Sequence, residues 1–525
     1  MKEALAYREM ISRILNLKPG VDAIVAVKID VCRRYKLPGV PKNSALLALA
    51  EPLEREALRK ILLVKPTRTL SGVAPVAVMT SPASCPHGKC LPCPGGPEHE
   101  YKSPQSYTGE EPAALRAREH DYDPFRQVHA RLEQFELLGH RVNKVELIVM
   151  GGTITARPPE YQEQFVSRCI EAMNTYPGGS AAEQAPDTAS VQAGNETSPI
   201  RCVAITFETR PDWCCREHID RMLEIGVTKV ELGVQHLEDE YLIYNRRGCT
   251  VADTVAANTL LRDAGLKVGF HMMPNLPSST IAADRRMFET LYADPRLRPD
   301  FLKIYPTLVT PGSEIAELFE KGEYSPYSEE EMIDLVAYAK SLIPEYSRLQ
   351  RIQRDIPAKL IVAGSRHSNF RQLAENRLRE SGKRCRCIRC REIGRLPSDA
   401  EAEIQVTDYD SCGGKEHFIS SVSGDSLIGF SRLRFPYQVH RQELEGCALM
   451  RELHVYGSLV PIGKDAECEE QQHRNHGKML IAQAEEIAVS AGFARLAIMS
   501  GVGVRPYYKR QGYERKGPYM IRDLP

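Results

Sequence analysis

The chain has 525 residues, 42% of them hydrophobic, and its 69 Lys and Arg against 69 Asp and Glu give a formal net charge of +0. That length is more than one core fills and implies two to four domains at about 150 residues each, while the charge balance excludes a wholly basic nucleic-acid coat and leaves local patches open. The N-terminus MKEALAYREMISRIL has no apolar signal core, and no stretch approaches the roughly 20 apolar residues of a membrane span, so the expected place is the cytoplasm, with no membrane partner.

The first segment, 1–70, carries the charge asymmetry: 14 Lys and Arg against 7 Asp and Glu, including Arg33, Arg34 and Lys36 and the run Lys65 to Arg68. A solvated helix face and an RNA-facing patch both fit such a run. From residue 71 apolar runs recur with helical segments between them: VAPVAVM (73–79), KVELIVMGG (144–152), CVAITFE (202–208), KVELGVQ (229–235), KVGFHMM (267–273) and FLKIYP (301–306). Strand, helix, strand is the pattern of parallel βαβ units, and six of them predict an α/β fold, a partial or complete (β/α) barrel over 71–357. Ligands in that architecture collect at the C-terminal ends of the strands. The helix predicted over 251–266 ends on Gly265, and 176–200, rich in Ala, Ser, Gly, Pro and Gln, reads as a mobile surface insertion.

The loop after the first strand, SCPHGKCLPCPGG, places Cys85, Cys90 and Cys93 in nine positions. Three readings compete. Cys85, His87, Cys90 and Cys93 supply enough donors for a closed zinc site; C-x4-C-x2-C also opens the plant-type ferredoxin pattern, which needs a fourth thiolate; and three cysteines can hold a cubane 4Fe–4S cluster whose remaining iron is open to a ligand. Fifteen cysteines, clustered rather than spread, suit a reducing compartment in which thiols serve metals. Gly151 and Gly152 end the second strand and let backbone approach a ligand, and Glu208, at the end of the third, can receive an ammonium or a ribose.

In this order these features resemble the radical S-adenosylmethionine enzymes, whose open iron chelates the methionine moiety; the four-residue first interval departs from the commoner three. The flanks KPTRTLSGVAPVAVM, CPHGKCLPCPGGP, SPQSYTGEEP, VELIVMGGT, ETRPDW, VELGVQ and FLKIYPTLV, from about Lys65 onward, are similar to the catalytic subunit of Elongator in its single-chain form.

Past Pro357 the βα rhythm stops. In RCRCIRC, Cys385, Cys387 and Cys390 are three soft ligands in six residues, and Arg384, Arg386, Arg389 and Arg391 beside them favour thiolate, so the linker 358–400 is expected to hold zinc; His367 and Cys412 both stand open as the fourth ligand. From 401 to 525 strands, a helix and a further strand leading into SGVGVRPYYKR resemble the GNAT acetyltransferases, an α+β domain. Their pyrophosphate loop Q-x-x-G-x-G/A aligns with Gln472, His473, Arg474, Asn475, His476 and Gly477, with Asn475 where a glycine is usual. The GNAT and Elongator resemblances imply acetyl-CoA bound beside Tyr507 and Tyr508. Glu452 and His454 alternate on one strand as candidate bases, or as an exposed polar face.

Taken together, the resemblance implies an enzyme that builds carboxymethyl on C5 of the wobble uridine of tRNA from acetyl-CoA and a 5′-deoxyadenosyl radical, gripping the anticodon stem-loop with Arg33, Arg34 and Lys36. A protein lysine acetyltransferase with a structural or regulatory barrel is the alternative, and a homodimer stays open. Chemistry between the two halves requires contact at roughly 3 to 3.5 Å, so the C-terminal domain is expected to cap the barrel mouth, with Tyr507 and Tyr508 in one cleft with Cys85, Gly151 and Glu208.

Overall fold

The computed structural model describes residues 2–16, 21–63, 69, 72–100, 102–367, 369–398, 400–456 and 475–525. The basic first segment folds as four helices, Lys2–Asn16, Val21–Tyr35, Asn43–Leu49 and Pro52–Leu62. Ala6, Met10 and Ile14 recur at helical spacing and close a small separate core with Val27, Val31, Leu46, Leu58 and Leu62. Most charged side chains are thereby turned outward, while Lys28 is buried and donates to Asn43 Oδ1 at 2.7 Å. The run Lys65 to Arg68 lies outside the described residues.

The chain then lays down β1 (Ala74–Met79), β2 (Lys144–Met150), β3 (Arg201–Thr209), β4 (Lys229–Gln235), β5 (Lys267–Met272), β6 (Phe301–Ile304) and β7 (Arg348–Ile352). Among the described residues they pair in sequence order, every pair parallel, with β1 and β7 at the two edges. Of the two expected forms the barrel is therefore the partial one. β7 was not among the predicted strands because RLQRI offers only Leu349 and Ile352 to a core. The helix Val251–Asp263 opens on a capping box between Thr250 and Asp253 and stops where expected: Gly265 takes a φ of 87° and its N–H donates to the carbonyl of Arg262.

The stretch 176–200 corrects its reading. It contains the helix Thr188–Asn195, which buries Val191, Gln192 and Asn195. Its amides take the place of apolar groups: Asn195 Nδ2 donates to the Ile200 carbonyl at 3.1 Å, and Gln192 Oε1 accepts from buried Arg505 at 3.1 Å. Paired amides bury without the loss an apolar count assigns them.

After β7 the helix Phe370–Glu380 carries the chain back, and Ile388 N–H donates to the carbonyl of Ser347, beside the start of β7, at 3.0 Å. The second sheet follows: β8 (Ala402–Ser411), β9 (Gly414–Ser423), β10 (Ser426–Phe435), β11 (Cys447–Val455), β12 (Arg495–Met499), β13 (Glu514–Lys516) and β14 (Tyr519–Asp523), in the order β13-β14-β12-β11-β10-β9-β8. Among the described residues of this sheet only β11 and β12 pair in parallel, and the helix His476–Ser490 that crosses between them packs Leu480, Ile481 and Ala484 on Leu433, Met450 and Leu496.

The two sheets are fastened by charges with no exposure. Asp300, just before β6, accepts from both Nη atoms of Arg451 at 2.8 Å, and Glu416 on β9 accepts from Arg262, Arg434 and Arg451 at 3.0, 3.1 and 2.9 Å. Asp263 pairs with Arg434 at 2.7 Å. The partners on the barrel side precede β5 and β6, so the second sheet covers the N-terminal end of the strands. That overturns the expected docking at the mouth, and the cause is topological: a helix antiparallel to β7 returns the chain to where β7 began.

Candidate active site

The cysteine loop hangs from the C-terminal end of β1. Gln105 shapes it, its Oε1 accepting from Cys85 N–H at 3.0 Å and its Nε2 donating to the Gly88 carbonyl at 2.8 Å. Two buried guanidiniums close it from below: Arg247 donates to Cys90 Sγ at 3.9 Å and to the Gly233 carbonyl at 3.1 Å, while Arg210 holds the Arg247 carbonyl at 2.8 Å and pairs with Asp212. A hydrogen bond from the Cys93 thiol, with another from His87 at 3.0 Å and the charge of Arg247, pulls Cys90 down to about 3 against burial. Burial pushes the Cys85 thiol up.

Among the described residues, the sets of three donors whose ligand atoms all lie within 4.8 Å are Cys385, Cys387 and Cys390, and Glu208, Glu231 and His271. No three of Cys85, His87, Cys90 and Cys93 converge in that way, which is against a single zinc ion there. Three thiols on one loop, one already favoured as thiolate and cations behind them, fit a cubane that takes one thiolate per iron.

Gly151 and Gly152 stand beside this loop, and Thr153 Oγ1 lies 3.7 Å from Cys85 Sγ. Gly151 has a φ of 146°, and a Cβ there would fall 2.0 Å from Thr80 Oγ1; only glycine lets β1 and β2 end so closely. Glu208 accepts from Tyr107 Oη at 2.6 Å and from Lys303 Nζ at 3.3 Å. Lys303 also pairs with Glu231, which accepts from His271 Nε2 at 3.1 Å and lies 3.4 Å from Lys229, itself 2.6 Å from Glu146. A ladder of buried ion pairs thus runs along the barrel axis. The Lys303 ammonium sits between Glu208 and Glu231, so the carboxylates that fit a cation already hold one. Sequence reading passed over this ladder; its signal was charged residues recurring inside apolar runs, as in KVELGVQ and FLKIYP.

At the other end of the barrel lies a cavity of about 440 Å³. β11 and β12 pair only from Cys447–Arg495 to Met450–Ile498; beyond that point they part, and the gap is lined by Glu452, His454, Asn475, Gly477, Tyr507 and Tyr508. Its floor is made of strand starts, among them Lys144, Lys229, Lys267 and Phe301. Asn475 caps the helix His476–Ser490 in the left-handed region, φ 62°, where asparagine is tolerated. A Cβ on Gly477 would fall 2.9 Å from Tyr507 Oη. His476 is buried with Nδ1 3.0 Å from Ser421 Oγ. Gln472, His473 and Arg474 lie outside the described residues. Burial alone would raise the Glu452 carboxyl, but Arg432 at 2.8 Å and nearby Lys267 hold it below the usual range. Cys85, Gly151 and Glu208 are not in this cavity, so the single expected cleft is replaced by two sites at opposite ends of one half-barrel.

Cys385, Cys387 and Cys390 do converge, and three thiols of this kind fit a soft divalent metal. Neither proposed fourth ligand joins them: His367 pairs with Glu329 at 3.0 Å, and Cys412 Sγ donates to the Arg296 carbonyl at 3.2 Å. Most of the flanking arginines are engaged elsewhere, Arg384 and Arg386 with Asp425 and Arg391 with Glu345; the cations that act on the thiols include Arg371, Arg348 and Lys340. In the N-terminal helices Arg33, Arg34 and Lys36 are exposed. Arg34 pairs with Glu9 and Asp30, both at 2.8 Å, whereas Arg33 and Lys36 make no ion pair among the described residues.

Comparison with known proteins gives three matching family profiles: the ELP3 N-terminal domain over residues 3–70, the Radical SAM superfamily over 81–291 and the Radical_SAM C-terminal domain over 299–380. The tRNA uridine(34) acetyltransferase of Methanocaldococcus infernus is 45% identical over 542 residues, covering all of both chains. Elongator complex protein 3 of Homo sapiens is 40% identical over 514 residues, 95% of this chain and 92% of that one. The solved structure of Methanocaldococcus infernus Elp3 lacking residues 1–46 superposes with a TM-score of 0.75 at 41% identity, covering 87% of this chain and 100% of that chain. Similarity therefore extends through the N-terminal helices, upstream of the Lys65 at which the sequence motifs began. No helix among the described residues is long and apolar enough to cross a membrane.

Proposed function

This chain belongs to the family of the archaeal tRNA uridine(34) acetyltransferases and Elongator complex protein 3, and on that premise we propose that it builds carboxymethyl on C5 of the wobble uridine of tRNA from acetyl-CoA. The observation that supports the reading is that the cavity and the cysteine end share one half-barrel interior, joined by the ladder from Glu146 and Lys229 to Glu208, along which the acetyl group would have to reach the radical at roughly 3 to 3.5 Å. At the strand ends Cys85, Cys90 and Cys93 would hold a 4Fe–4S cluster, with Gly151, Gly152 and Glu208 around S-adenosylmethionine. When bound, that pair supplies an electron and a 5′-deoxyadenosyl radical able to take hydrogen from a methyl group. At the strand starts the gap between β11 and β12 would receive the pantetheine arm of acetyl-CoA, and the helix His476–Ser490 with its preceding loop would face the pyrophosphate. Tyr507 and Tyr508 would flank the thioester. Cys385, Cys387 and Cys390 would hold zinc where the chain turns from the barrel to the second sheet.

An acetyl group seated in that gap faces the floor of strand starts, which argues against a protein lysine as its ordinary acceptor. The test is anaerobic protein incubated with S-adenosylmethionine, acetyl-CoA and tRNA, followed by mass spectrometry of the digested nucleosides. Carboxymethyl-uridine at the wobble position is expected; unmodified tRNA beside acetylated protein would give the reading to the lysine acetyltransferase.

The N-terminal helices would grip RNA phosphates. Because Arg34 is already neutralised by Glu9 and Asp30, Arg33 and Lys36 carry the expectation. Reversing both to Glu weakens tRNA binding and lowers the slope of log affinity against log salt by roughly one for each phosphate no longer neutralised. Filter binding over a salt series checks this, and an unchanged slope assigns the pair to a solvated face.

A further inference from the structure

Given that the gap takes acetyl-CoA, we infer that Lys267 is the general base that hydrolyses the thioester. The titratable groups lining the cavity narrow to this one. Lys229 is tied to Glu146 and Glu231. Glu452 is held by Arg432, and burial raises both Tyr507 and Tyr508 above the ordinary phenol range. Lys144 has an interaction of its own, and His454, on β11, stands in the wall of the gap and not on its floor, its ring 4.4 Å from that of Tyr456. Lys478 is exposed at the first turn of its helix. Lys267, the first residue of β5, lines the floor of the cavity and makes no hydrogen bond or ion pair with its amine among the described residues. Desolvation lowers its pKa, with Lys229 acting in the same sense and Glu452 against it, and a lysine so placed serves as a base where a solvated one stays protonated.

In the step, the neutral Lys267 amine takes a proton from a water as the water oxygen bonds to the thioester carbonyl carbon. The carbon–sulfur bond breaks, its electron pair leaves with sulfur, and the ammonium returns the proton to the thiolate. Water and acetyl-CoA become acetate and CoA, with no oxidant or reductant. On an acyl chain already joined to the uridine, the same step releases the carboxymethyl group from CoA.

The test follows CoA release by the anaerobically purified full chain with tRNA present. Lys267→Ala is expected to lower kcat by about 10²- to 10⁴-fold while the KM for acetyl-CoA changes little. Added methylamine or ethylamine restores turnover in that variant, which a purely structural loss would not allow. The wild-type rate rises with pH through an ionisation below the ordinary lysine value of about 10.4, and Lys267→Arg loses that ionisation. Turnover that survives in Lys267→Ala, or a loss that amines do not rescue, overturns the inference while acetyl-CoA binding still stands. Wild-type protein that neither binds acetyl-CoA nor releases CoA overturns the acetyl-CoA reading itself, and Lys267 falls with it.

Discussion

Replacing Cys85, Cys90 and Cys93 together with alanine is expected to abolish iron binding and all cleavage of S-adenosylmethionine while leaving the protein folded. Loop shape does not come from the thiols. Gln105 fixes the backbone at Cys85 and Gly88, and Cys93 N–H donates to the Cys90 carbonyl at 3.1 Å, bonds that alanine retains. Each change removes one heavy atom, a loss of about 1 kcal/mol at a buried position. The function, by contrast, has no substitute on that loop: the other cysteines at this end, Cys214, Cys215 and Cys249, come from two separate loops after β3 and β4, and Cys214 and Cys249 are buried. Iron and sulfide analysis after anaerobic reconstitution, with chromatography for 5′-deoxyadenosine, reads the outcome. Wild-type protein that takes up stoichiometric zinc and no iron would restore the zinc reading of this loop.

The second large effect concerns stability. Asp300→Asn leaves Arg451 and Arg262 facing a neutral amide with no exposure to water, and breaking one partner of a buried ion pair typically costs 3–5 kcal/mol, so a loss of about 4 kcal/mol is expected. Urea unfolding followed by tryptophan and circular dichroism measures it; a shift below about 1 kcal/mol, the range of a surface pair, would show that the network relaxes around the gap. The same groups set an acid limit. Burial alone would raise Asp300, but Arg262, Arg451 and Arg432 hold it well below the ordinary carboxylate range, and Arg451, Arg262 and Arg434 lower Glu416 in the same way. The unfolded chain binds these protons near pH 4 and the folded chain only at lower pH. Their stabilisation is therefore complete above about pH 5 and is lost as the pH falls through 4 and below, which Asp300→Asn should blunt.

What the sequence disclosed follows from which interactions are local. Apolar runs between helices pointed to six of the barrel strands, and three thiols within nine residues marked the loop at the end of β1 as a candidate site, because both depend on neighbours along the chain. β7 escaped because its Arg348 and Gln350 face a cavity and so break the apolar pattern. The axial ladder escaped for a related reason: Glu146, Lys229, Glu231 and Lys303 come from three strands, and each looks like an exposed charge until the others are beside it. The end of the barrel that the second sheet covers was a matter of one returning helix, and residue types carry no mark of it. Asn475, where a glycine is usual, adopts a left-handed φ of 62°, so the turn itself forms with the asparagine in place.

That returning helix also decides how substrates can arrive. With the second sheet packed against the strand starts, the strand ends and their cysteine loop are left uncovered by it. On the function proposed above, a bulky folded nucleic acid and a long thin thioester would therefore approach by different doorways. Each would then reach its own end of the half-barrel without crossing the other's path, and the two would meet only inside it.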